Sequence, residues 1–95
     1  MHKEVLIFTT STCLPCKQLK AQLAGIPKIS NNIRYLCMDD PNNNEAQERA
    51  ILYGVHSAPT LIFMIGGVPQ TSTEGYSQRV IRQVQDFLLT ELQND

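Results

Sequence analysis

Two thiols set three positions apart, Cys13 and Cys16, are the side chains of this chain best placed to do chemistry. They enclose Leu14 and Pro15, and Lys17 follows. A deprotonated cysteine is both a nucleophile and a metal ligand, so such a pair serves either thiol–disulfide exchange or zinc binding. A closed zinc site takes four ligands, usually as two pairs. The other candidates here are Cys37, His2 and His56, and they form no second pair. Three cysteines are also an odd set, unlike the even sets of secreted disulfide frameworks. In a reducing compartment, closely spaced cysteines are catalytic or metal-binding more often than structural. Exchange is the favoured reading and zinc the alternative.

The pair falls where an apolar strand gives way to a helix. The first turn of a helix presents unsatisfied N–H groups and the positive end of its dipole. A sulfur placed there is stabilised as a thiolate, so its pKa falls and its reactive fraction rises. Lys17 adds a weaker, screened contribution. Two intervening residues bring the second sulfur within disulfide reach. Cys13 then attacks a target disulfide and Cys16 resolves the adduct. Cys16 shares helical spacing with Leu19 and Leu23, which makes it the more buried thiol and Cys13 the exposed attacker. Pro15 stiffens the turn. Leu14 faces outward and forms an apolar rim suited to docking a substrate.

The positioning elements follow from residue patterns. Glu4 to Thr9 is apolar and β-branched, a strand buried on both faces. Ser11 and Thr12 offer hydroxyls at a helix start, and Pro15 is tolerated in the first turn. Gly25 and Pro27 stop that helix. Ile33 to Met38 reads as a second strand, broken by Asp39-Asp40-Pro41-Asn42. Asn43 or Asn44 caps a helix to about Tyr53, with Ala46, Ala50 and Tyr53 on one stripe. Thr60 to Ile65 is a third strand, Gly66-Gly67 a tight turn, and Val68 to Glu74 a more polar edge strand. Ser77 caps a last helix whose Val80, Ile81, Val84, Leu88 and Leu92 line one face. The expected order is β-α-β-α-β-β-α, an α/β fold with a four-stranded mixed sheet and helices on both faces.

Bulk properties bound the rest. Ninety-five residues make one domain, 1–95. An apolar fraction of 42% and a charged fraction of 18% are ordinary for a globular chain. A net charge of -1 with mixed signs points to no nucleic-acid partner. No stretch approaches the roughly 20 apolar residues of a membrane span. The short apolar run after Lys3 is no signal peptide, so the expected compartment is the cytoplasm. A monomer is expected.

The chain resembles the thioredoxin family from Val5 to Leu92. Four separated features carry the resemblance. They are Cys13-Leu14-Pro15-Cys16-Lys17 after a buried strand, Tyr53 to Phe63 entering the third strand, Gly66-Gly67 in the next turn, and Gly75 after the last strand. The resemblance implies a thioredoxin-like fold and a protein-disulfide reductase with catalytic Cys13 and Cys16. It also implies a cis Ala58–Pro59 bond packed against the pair, and a substrate strand bound through the backbone of Ala58. Leu14, Pro15, Ala58 and Pro59 are thus the substrate-binding residues. No metal or other cofactor is required. Electrons come from a thioredoxin reductase or from glutathione. The targets are protein disulfides, ribonucleotide reductase being one family-level candidate.

Several positions depart from the family pattern. Thr12 replaces the usual tryptophan before the first cysteine, and Leu14 replaces the usual glycine. Ile7 stands where the family has a buried aspartate that helps move the proton of the resolving thiol. No segment matching the N-terminal strand and helix of full-length thioredoxins precedes Val5. In that respect the chain resembles the shorter glutaredoxins, the rival reading. Those bind glutathione partly through a Thr-Val-Pro segment and a Gly-Gly pair after the last strand. Here the segments are Ser57-Ala58-Pro59 and Gly75, which favours electron transfer to protein disulfides. A non-catalytic thioredoxin-like binding module is a further alternative. Cys37 reads as a small apolar packing residue in mid-strand. His56 reads as a solvated loop residue, and Tyr53, Tyr76 and Phe87 as core or rim.

Overall fold

The computed structural model describes residues 2–90. Strand β1 (Lys3–Thr9) is followed by helices α1 (Leu14–Ala24) and α2 (Pro27–Ser30) and strand β2 (Ile33–Cys37). Helix α3 (Asn44–Leu52), strands β3 (Thr60–Ile65) and β4 (Val68–Glu74), and helix α4 (Gln78–Leu89) complete the order. The sheet runs β2-β1-β3-β4. β1 and β2 are parallel, whereas β3 is antiparallel to both β1 and β4. The mixed four-stranded sheet is as expected, and its polar strand β4 lies at an edge.

The unbroken apolar run of β1 reflects burial on two sides. Val5 and Ile7 face one cluster with Leu19, Leu23, Ile29, Phe63 and Val84. Leu6 and Phe8 face a second with Leu36, Ala46, Ala50, Ile62 and Met64. Helices α1, α2 and α4 therefore cover one face and α3 the other. Tyr76 and Phe87 pack against the first cluster and Tyr53 against the second, as core-rim residues. The Gly66-Gly67 hairpin needs glycine, because φ is 59° and 79° at the two positions. Leu92 lies outside the described residues, and the apolar face of α4 is set by Val80, Ile81 and Val84.

Helix α2 was not expected. Pro27 ends the reach of α1, yet it also occupies the first turn of a new one-turn helix, where its missing N–H costs nothing. That turn carries Ile29 into the larger cluster.

Lys3 joins the first strand to the last helix. Its Nζ donates to Phe87 O at 2.9 Å and to Thr90 O, and it sits 5.2 Å from the Phe87 ring centroid. A cation at a helix C-terminus satisfies the last carbonyls and complements the dipole. Lys3→Met is expected to cost about 1 kcal/mol, which lowers the melting temperature by about 4–8 °C. Thermal denaturation followed by circular dichroism checks this.

Candidate active site

The strand directions gather one end of the sheet. The C-terminal ends of β1, β2 and β4 and the start of β3 lie together there. The chain leaving β1 carries Cys13, and the chain entering β3 carries Pro59. Cys13 and Cys16 form a disulfide with Cα atoms 5.2 Å apart.

Cys13 is itself the N-cap of α1, with extended backbone. This corrects the expectation that Ser11 and Thr12 open the helix. The Cys16 N–H donates to Cys13 Sγ at 3.1 Å, so sulfur takes the acceptor role that a hydroxyl or carboxylate oxygen usually fills. Leu14 and Pro15 complete the first turn, which needs no N–H from Pro15. Cys16 is 4% exposed and begins the buried stripe that continues to Leu19 and Leu23. Cys13 is half-buried and Leu14 is 64% exposed, beside the disulfide rather than folded under it.

At the same end of the sheet, the Ala58–Pro59 bond is cis, and Pro59 is fully buried. Thr60 Oγ1 donates to Ser57 O at 2.7 Å and closes the segment around the proline. Pro59 O accepts the Gly75 N–H at 2.8 Å, which draws the end of β4 to the same place. The β3 ladder begins at Thr60, so the half-buried Ala58 lies just outside it. His56 is exposed in the preceding loop.

Beside Cys16 opens a cavity of about 450 Å³ lined by Cys16, Lys17, Lys20, Tyr35, Cys37 and Asp40, among others. Lys20 Nζ sits 4.9 Å from the centre of the Tyr35 ring, and burial pushes the Tyr35 hydroxyl pKa up. Ile7 is fully buried in the apolar cluster, so no carboxylate approaches Cys16 from that position.

Cys37 departs from the packing role expected of it. It ends β2 only half-buried, and its Sγ donates to Asp39 Oδ1 at 3.0 Å. That bond to the carboxylate is the main cause holding the Cys37 thiol pKa above its ordinary value. The sequence reading missed this because β2 is an edge strand whose last residue opens onto the cavity, so mid-sheet packing does not reach it. The same S–H bond, then the Ser11 hydroxyl, holds the Asp39 carboxyl below the usual range. From the sequence, Ser11 reads only as a helix-start hydroxyl and Asp39 only as part of the break after β2, and 28 positions separate them.

Asp39 and Glu45 together set an acid sensitivity. Arg34 Nη2 lies 2.6 Å from Glu45 Oε1, and that bond holds the Glu45 carboxyl below its ordinary value. Unfolded, both carboxylates protonate at ordinary values near pH 4. Folded, they hold their charge to lower pH, so falling pH protonates the unfolded chain first and stability drops. The melting temperature is expected to be level from about pH 6 to 8 and to fall below about pH 4.5. A melting temperature unchanged at pH 3 contradicts this.

Among the described residues, no group of three or more His, Cys, Asp and Glu side chains comes together to hold an ion. His2 stands at the opposite end of the sheet, where its carbonyl accepts the Gly66 N–H of the hairpin turn.

A parallel–antiparallel four-stranded sheet, a cysteine pair opening the helix after its second-position strand, and a cis proline entering the next antiparallel strand define a thioredoxin-fold dithiol domain. The chain belongs to the thioredoxin family: the family model described as Thioredoxin matches residues 1–87. Among solved structures, the germline-specific thioredoxin Deadhead of Drosophila melanogaster is similar at 24% identity and TM-score 0.74, over 90% of this chain and 80% of that one. Thioredoxin O2 of Arabidopsis thaliana in its oxidised state is similar at 20% identity and TM-score 0.73, over 93% and 76%. A thioredoxin of Fasciola hepatica is similar at 23% identity and TM-score 0.70, over 86% and 76%. At these identities the likenesses establish the fold alone. Comparison with curated proteins finds no match. Family membership and a disulfide-forming pair together support thiol–disulfide oxidoreductase chemistry. Among the described residues, no helix is long and apolar enough to cross a membrane.

Proposed function

We propose that this chain reduces protein disulfides by dithiol exchange, with Cys13 as nucleophile and Cys16 as resolving thiol. One observation carries the reading: the Cys16 N–H, at the positive end of α1, points at the half-buried Cys13 sulfur from 3.1 Å. In the reduced protein the same donor stabilises a Cys13 thiolate, a charge-assisted bond stronger than a neutral one.

The thiolate attacks one sulfur of the target disulfide, and the other target sulfur leaves as a thiolate. Cys16, once deprotonated, attacks Cys13 Sγ and expels the second target sulfur. The target gains two electrons as two thiols, and the pair is left as the disulfide of this structure. Leu14 and Pro15 supply an exposed docking rim, while Ala58 and Pro59 position the extended target strand. With Ile7 in place of a carboxylate, the proton of Cys16 leaves through water in the adjoining cavity. The regenerating electrons come from a thioredoxin reductase or from glutathione. A reducing compartment such as the cytoplasm suits this flux, and the chain acts there as a monomer carrying electrons to protein targets. Ribonucleotide reductase is one target class to examine.

Reduction of a protein disulfide run in parallel with a thioredoxin reductase system and with glutathione tests this reading. Turnover with the reductase is the expected result. Turnover with glutathione alone replaces it with the glutaredoxin-like reading, and no turnover with either leaves a binding module.

A further inference from the structure

The turn that presents Cys13 is gripped from across the sheet end by one carboxylate. Asp39 Oδ1 and Oδ2 accept the Ser11 N–H at 3.0 and 3.1 Å, and Oδ2 accepts the Ser11 hydroxyl at 2.7 Å. Cys37 S–H donates to Oδ1 at 3.0 Å. Ser11 lies two residues before Cys13, and the Cys13 N–H closes the same turn onto Thr10 O at 3.4 Å.

The gripping side is itself anchored. Met38 N–H donates to Thr9 O at 2.8 Å, extending the β1–β2 ladder to the base of both loops. Asp40 O accepts the Asn43 N–H and the Gln47 side-chain amide, each at 3.0 Å, which fixes the Asp39 loop to the start of α3. An exposed aspartate gains nothing by leaving water unless several donors are already arrayed around it. Here the donors come from both loops at once.

We propose that Asp39 is a positioning residue for the dithiol: by holding Ser11, it keeps Cys13 in register as the sulfur cap of α1. The proposal rests on the oxidoreductase reading of the pair. When the disulfide opens, the covalent link no longer holds Cys13 beside the Cys16 N–H. The Ser11–Asp39 grip then keeps the thiolate where that N–H can reach it. Cys37 contributes a protonated donor to the grip rather than a second nucleophile.

The sign of one rate separates this role from a mere charge effect. Asp39 as a nearby negative charge disfavours the Cys13 thiolate, so its removal would speed alkylation. Asp39 as a grip favours the thiolate, so its removal slows alkylation. The experiment is the pH dependence of iodoacetamide alkylation at Cys13 in the reduced protein, read by peptide mass for wild type, Asp39→Ala, Asp39→Asn and Ser11→Ala. At pH 7 the grip predicts about tenfold slower alkylation in Asp39→Ala, with the midpoint of the pH profile moved up. Asp39→Asn keeps one acceptor oxygen and is expected to lose less, about threefold. Ser11→Ala leaves every charge in place and is also expected to slow, by about threefold.

Equal or faster alkylation in the Asp39 variants overturns the proposal, as does a lowered melting temperature with an unmoved pH profile. If Asp39→Ala does not fold, Ser11→Ala decides: an unchanged rate overturns the grip. A wild-type Cys13 that alkylates no faster than a free thiol overturns the oxidoreductase reading and this role with it, an outcome distinct from a reactive wild type that the variants leave untouched.

Discussion

Cys13→Ser is expected to bring protein-disulfide turnover down to background, a loss of at least about a thousandfold. The hydroxyl occupies nearly the same volume and accepts the Cys16 N–H as a normal cap, so helix α1 keeps its first turn. What disappears is the sulfur that the proposed reaction uses as its nucleophile, since a hydroxyl does not exchange with disulfides. Stability therefore stays near the wild-type value, allowing for the small loop that the disulfide closes. The combination identifies chemistry rather than folding as the cause. Turnover retained in a folded Cys13→Ser protein would remove the nucleophile from the proposed reaction.

Phe63→Ala is expected to have the largest effect on stability. Phe63 lies on β3, paired with Val5 of β1 and Thr71 of β4. It is 1% exposed, and its ring meets Phe87 of α4 edge-to-face at 5.1 Å. Truncation removes the transfer free energy of the ring and leaves a cavity that the sheet cannot collapse to fill. The expected cost is about 3–5 kcal/mol, including the aromatic pair. For a domain of this size that lowers the melting temperature by roughly 15–30 °C. Native stability is commonly about 5–15 kcal/mol, so a substantial folded fraction remains at room temperature. That fraction is expected to turn over at the wild-type rate, because Phe63 lies several residues from Pro59 on the face opposite α3. Calorimetry gives the shift, and a loss below about 5 °C would mean the core repacks around the gap.

The sheet was legible because burial leaves a periodic trace. Val5 to Phe8 and Leu61 to Met64 have no polar position, and both segments lie in strands covered on both faces. The spacing of Cys16, Leu19 and Leu23 marks the buried stripe of α1, and Asn43 and Ser77 are the caps observed. Two features were missed for different reasons. Helix α2 is a single turn, too short to show a period, and its opening proline also reads as a stop. The Cys13 cap competes with two hydroxyl residues just before it, which are the usual cap types. At the site, the cysteine pair and the proline were legible from residue type and spacing together with the family resemblance. The Ser11–Asp39–Cys37 cluster was not, because it joins two loops through side chains, and no local pattern records which loops meet.

The proposed division of labour between the cysteines is tested most directly in Cys16→Ser. That variant retains Cys13 and Cys37, and without a resolving thiol the first covalent adduct accumulates. Peptide mapping after reaction of the reduced variant with a protein disulfide locates the trapped bond. The account predicts a single mixed disulfide at Cys13, with Cys37 left as a thiol. An adduct formed mainly at Cys37, or none at all, would contradict it.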